Sequence, residues 1–97
     1  MTSNSTTLNS STLSTSVYTI GSSGRISVIV RDSAVWGGAT VSVKQSGDGT
    51  NFGRSGLIKE TDIEKTRCIT GIVGESVKVT IDNAGSSTSI PVDVVTD

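Results

Sequence analysis

The chain has 97 residues, eight Lys and Arg against nine Asp and Glu, and a net charge of −1. That length is one domain. Its interleaved charges leave no basic run for nucleic acid, and no apolar stretch approaches the roughly 20 residues of a membrane span. The lack of any His removes the commonest general base and metal ligand.

Twelve Val and nine Ile stand against three Leu and three Ala. Val and Ile are stiff at χ1 and pack well on a pleated surface, whereas Leu and Ala are what helices want. Eleven Gly and many Ser and Thr supply turn chemistry. The chain is therefore expected to be all-β: a small antiparallel β-sandwich, jelly-roll or Ig-like, of seven or eight short strands. Cys68 stands alone, so no intrachain disulfide can form and packing must hold the domain together.

Residues 1–15 are almost entirely Ser, Thr and Asn. Such a segment buries too little apolar surface to offset its ordering entropy. It is expected to be a flexible N-terminal arm, disordered when free or extended on a partner, with Leu8 and Leu13 as anchors. It lacks the charged-plus-apolar pattern of a signal peptide, so Sec export is not expected. Residues 16–97 are expected to form the single sandwich domain.

Val17-Tyr18-Thr19-Ile20 opens the strand series and stops at the loop Gly21-Ser22-Ser23-Gly24. Arg25–Arg31 alternates with Ile26, Val28 and Val30 on one face. Asp32–Gly38 is a connection that holds the only Trp. Ala39–Gln45 places Val41 and Val43 inward, Ser46–Asn51 turns, and Phe52–Lys59 returns with Leu57 and Ile58. Lys59–Lys65 alternates in charge and reads as a solvated crossover or a single helical turn. Thr66–Thr70 is a strand with Cys68 and Ile69 on opposite faces, Cys68 expected as a small buried hydrophobe. Ser76–Asp82 has the cleanest alternation, with Val77, Val79 and Ile81 inward. Thr88–Thr96 is the last strand. Pro91 lacks an N–H, which predicts a sheet edge or a start after a bend.

No catalytic, cofactor-binding or metal-binding residue is assigned. Without His, neither a Ser-His-Asp nor a Cys-His arrangement can be built. Glu60, Asp62 and Glu64 lie close in sequence, but three aromatic residues cannot line the cleft that a two-carboxylate glycosidase needs. Asp48-Gly49-Thr50-Asn51 has part of a calcium loop's composition without its spacing or distal Glu, so it reads as a turn. Asn4-Ser5-Thr6 and Asn9-Ser10-Ser11 match the glycosylation pattern in a tail where such matches arise by composition. Trp36 is expected to plug one end of the sandwich, with saccharide stacking as the competing role.

Residues 36–52 read W-G-G-A-T-V-S-V-K-Q-S-G-D-G-T-N-F. Gly37 and Gly38 allow a bend or close approach. Asp48-Gly49 can supply the φ > 0 positions of a hairpin turn, and Phe52 then packs back across the hairpin. The block resembles a pattern in small structural proteins of tailed bacteriophages. That resemblance implies a non-enzymatic virion component, foremost a capsid decoration (cement) protein that bridges neighbouring major capsid subunits. The alternative it implies is a tail, collar or fibre module with host-receptor or carbohydrate binding. It also implies a homo-oligomer, a trimer foremost, assembled into virions in the bacterial cytoplasm. Its partners would be the major capsid protein or other virion proteins, with neither nucleic acid nor membrane among them and no cofactor. Leu8, Leu13 and Trp36 are the interaction candidates. Gly37, Gly38, Asp48, Gly49 and Phe52 are the structural hairpin residues.

Overall fold

Alternation of Val and Ile with polar residues dictates strands with one buried face, and the computed structural model, which describes residues 1–97, has eight of them and no helix. They are β1 (Thr2–Asn9), β2 (Tyr18–Thr19), β3 (Arg25–Val30), β4 (Thr40–Ser46), β5 (Gly53–Ile58), β6 (Thr66–Thr70), β7 (Ser76–Asp82) and β8 (Ser89–Thr96). They form two four-stranded antiparallel sheets, ordered β1-β8-β3-β6 and β2-β7-β4-β5.

The first strand pairs with the eighth, the second with the seventh, the third with the sixth and the fourth with the fifth. The chain is thus one long hairpin, rolled so that successive pairs fall in alternate sheets. The β3–β8 and β4–β7 pairings close each sheet laterally. This is the jelly-roll arrangement, and it decides between the two sandwich types expected.

The inward faces meet in one core of 17 buried residues. Leu8, Ile26, Val28, Val30, Ile69, Ile90, Val92 and Val94 come from the first sheet; Val41, Val43, Ile58, Val77, Val79 and Ile81 come from the second. Ile20, Trp36 and Ala39 complete it. Burying one such side chain fully contributes about 1.5–3 kcal/mol. Nearly the whole driving force therefore lies in short Val/Ile strands that are individually unstable.

Three expectations are corrected. Residues 2–9, expected as a flexible arm, form β1 and pair with β8 along their whole length, from Thr2↔Thr96 to Asn9↔Ser89. Asn4, Thr6 and Leu8 turn toward the interior, and Leu8 is fully buried. Ser and Thr tolerate β geometry, and pairing with a ready-made strand supplies the stabilisation that composition alone does not. Pro91 lies in a central strand, between β1 and β3. Its nitrogen faces the end of β3, one residue beyond the Val30↔Val92 pair, where only the Arg31 N–H reaches back to the Pro91 carbonyl at 3.0 Å. The missing donor thus falls where the ladder stops. Cys68 is exposed, because β6 turns Ile69 into the core and Cys68 to the outer face. The Lys59–Lys65 crossover contains a turn closed by the Asp62 N–H on the Lys59 carbonyl at 3.0 Å, with no helix.

Candidate functional site

Trp36 sits in the β3–β4 connection at one end of the sandwich and is only 7% exposed. Its carbonyl accepts the Ala39 N–H at 2.9 Å and the Thr88 hydroxyl at 3.0 Å. The Lys65 ammonium lies 5.9 Å from the ring centroid, within cation–π range. The chain leaves Trp36 through Gly37 and Gly38, both left-handed with φ of +55° and +87°. A side chain at Gly37 would run into the Thr88 hydroxyl, so close approach as well as handedness selects glycine there. Trp36 is the plug that the sequence suggests.

The β4–β5 turn lies at the opposite end of the hairpin and is held by its own side chains. The Ser46 hydroxyl oxygen accepts the Gly49 N–H at 2.9 Å and donates to Asp48 Oδ1 at 2.9 Å. Asp48 Oδ1 also accepts the Thr50 and Asn51 N–H groups, each at 2.8 Å. These backbone donors, Asn51 first, hold the Asp48 carboxyl well below the usual carboxylate range. Gly49 takes φ of +81°. Every Asp48 interaction is thus spent on the turn. Phe52 precedes β5 and stacks beneath the Lys78 ammonium of β7, 4.3 Å from the ring centroid. Its ring thus meets β7, beyond the hairpin partner β4 that the sequence suggested.

On the outer face of the second sheet, Arg54, Lys44 and Lys78 stand directly opposite one another on β5, β4 and β7. Neither salt bridge in the molecule involves them; those are Arg31–Asp93 and Arg67–Asp62. The outer face of the first sheet carries instead a neutralised cluster. Arg31 Nε reaches Asp93 Oδ2 at 2.9 Å, and the Ser5 hydroxyl donates to Asp93 Oδ1. The guanidinium and the Ser5 hydroxyl hold the Asp93 carboxyl below its ordinary range. Near the C-terminus, Ser23 binds the Asp97 carboxylate through both its hydroxyl and its N–H, with the same effect.

The concavities are shallow, and three of them share Cys68 in their lining. One beside the C-terminus is bordered by Ser22, Ser23, Arg25, Cys68, Val95 and Asp97. Another lies against the Lys59–Lys65 crossover and includes Asp62 and Glu64. No three metal-ligating side chains converge anywhere.

Of the three interaction candidates, Leu8 is fully buried and Trp36 nearly so, and both belong to the core. Only Leu13, 51% exposed, can offer its side chain to a partner. Gly37, Gly38 and Gly49 take positive φ as their type suggests; Asp48 does not, and instead holds the turn by accepting the Thr50 and Asn51 N–H groups. The sequence reading missed the Arg54–Lys44–Lys78 row, because those residues become neighbours only through strand register. It also missed β1, whose inward Asn4, Thr6 and Leu8 alternate with Ser3, Ser5 and Thr7. The chain matches no family model, no curated protein and no solved structure.

Proposed function

We propose that this protein is a non-enzymatic structural component of a tailed-phage particle, a capsid decoration protein that bridges neighbouring major capsid subunits. The observation that carries the reading is the Trp36–Phe52 block. Its residues form a buried aromatic plug, a Gly-Gly bend and a self-locked Asp48–Gly49 turn within a two-sheet sandwich. These devices rigidify a small scaffold and leave its faces free for adhesion. A typical stable interface buries ~1,600 Å² in total, and a symmetric shell repeats each contact many times, so modest contacts suffice. The fibre reading with saccharide stacking loses support, because burial of Trp36 removes its ring from the surface.

Quantitative protein composition of purified virions from cells that make the chain tests the reading. The expected result is a fixed ratio of this chain to the major capsid subunit in the head fraction. Recovery of the chain only with tails in a few copies, or its absence from particles, overturns it.

A further inference from the structure

A jelly roll has four sheet edges, and three of them are blunted here. β2 is two residues long. β5 carries a register shift between Val43 and Lys44 and an outward Arg54. The β6 edge is closed against β5 by Arg67, whose guanidinium donates to the Leu57 carbonyl at 2.8 Å. Short strands, irregular pairing and charge are the usual protections against edge-to-edge association.

β1 has none of them. It is eight residues long, regular in pairing, and free of charge and proline. Val35 and Ser89 exchange N–H···O bonds, both at 2.8 Å, and the Arg31 N–H donates to the Pro91 carbonyl. The odd-numbered residues of β8 therefore turn their backbone groups toward β3, and the even-numbered ones turn theirs toward β1. By the β1–β8 register, Thr2, Asn4, Thr6 and Leu8 are the residues that bond to β8, opposite Thr96, Val94, Val92 and Ile90. The N–H and C=O groups of Ser3, Ser5 and Thr7 point away from the sheet and meet no partner within the chain.

The surroundings of that edge select its occupant. Residues 1–24 contain no Asp, Glu, Lys or Arg, whereas residues 54–67 at the opposite side of the sandwich contain seven. The run before β2 lies along β7, with the Leu13 carbonyl accepting the Ile81 N–H and the Thr15 N–H donating to the Val79 carbonyl. It forms the other layer of the same side and exposes Leu13 and Val17 by about half, 51% and 52%. A two-fold contact sets the residues on its axis against their own copies, so an unpaired charge near the axis would face its like. The charged side chains that reach β1, Arg31 and Asp93 at Ser5, are already paired with each other.

We propose that β1 pairs antiparallel with β1 of a second copy of this chain, about a two-fold axis at Ser5. Ser3 then faces the partner's Thr7, Ser5 faces the partner's Ser5, and each pair exchanges both backbone bonds, about six in all. The two first sheets become one continuous eight-stranded sheet, and Leu13 and Val17 of both copies line the seam. The proposal does not depend on the virion reading, and it gives a dimer where the phage resemblance implies a trimer.

The test is sedimentation equilibrium of the purified full chain over a concentration series reaching the millimolar range, with amide exchange followed residue by residue. The expected result is a reversible monomer–dimer equilibrium in which the Ser3, Ser5 and Thr7 amides exchange at least ten-fold more slowly in the dimer. Thr7→Pro removes an N–H that the single chain does not use, and Thr7→Lys adds a charge at the seam. Each should weaken dimerisation at least ten-fold with the circular dichroism spectrum unchanged; if the proline variant fails to fold, the lysine variant carries the test. A chain that stays monomeric throughout, a trimer, or a dimer that Thr7→Lys leaves intact overturns the proposal.

Discussion

Thr88 ties the β7–β8 connection to Trp36: its hydroxyl donates to the Trp36 carbonyl at 3.0 Å and accepts the Gly85 N–H at 2.9 Å. Gly37 lies against that hydroxyl, where an added Cβ would come within 2.7 Å, whereas a Cβ at Gly38 would meet open space. Both residues are left-handed. Gly38→Ala should therefore cost only backbone strain, about 1 kcal/mol. Gly37→Ala should cost roughly 2–4 kcal/mol, because it also disturbs both hydrogen bonds of the Thr88 hydroxyl, one of them buried. Urea unfolding of the two variants checks the difference; equal losses would show that the hydroxyl contact carries no weight.

Leu8 tests whether β1 belongs to the domain. Its side chain is fully buried against the sandwich, so Leu8→Ala should lower stability by about 2–5 kcal/mol. Leu13→Ala, at a half-exposed site, should change the stability of the monomer by less than about 1 kcal/mol. A flexible tail would make both substitutions neutral in denaturant unfolding.

Lys44 stands between Arg54 and Lys78 with no acidic partner in a salt bridge. Like charges directly opposite across strands oppose pairing, by about 0.2–1 kcal/mol each. Lys44→Glu should raise the thermal midpoint, and the gain should shrink in high salt. A fall in the midpoint at low salt would contradict this account of the row.

Four carboxyls, those of Asp48, Asp62, Asp93 and Asp97, are held below their ordinary range by hydrogen-bond donors. A carboxyl depressed in the folded state contributes stability above its unfolded value and loses it as pH falls through the folded value. The thermal midpoint should accordingly be flat from neutral pH to about pH 5 and decline below it, since the chain has no His to titrate between. Asp93→Asn should flatten part of the acid decline, a change readable from midpoints measured across the same pH series.

Four of the eight strands, β3, β4, β7 and β8, are readable from alternation, and β5 and β6 from short apolar stretches between turn residues. Ile26, Val28 and Val30 announce β3, and Val77, Val79 and Ile81 announce β7 within the observed bounds. β2 is two residues long where four were expected; Ile20 is buried in the core while its N–H still donates to the Glu75 carbonyl. β1 escapes notice because only Leu8 marks it as apolar; its order comes from β8, 80 or more residues away, which no local pattern reports. Pro91 misleads for a related reason. A donor-less residue is excluded from a ladder and not from a central strand, and β3 ends before the ladder would need it. The exposure of Cys68 follows from the parity of β6, which Ile69 already fixes.

The rolled-hairpin topology also governs the time course of folding. β8 joins β1 to β3, so the first sheet lacks its middle until residues 89–96 have been made. During synthesis the second sheet can form only with one face bare, and the N-terminal segment must wait for the strand that emerges after all the others. Closure across nearly the whole chain places such a protein among slow, millisecond-to-second folders. The same arrangement leaves Thr2 beside Thr96, so a short peptide can join the two strands into a ring without disturbing either sheet.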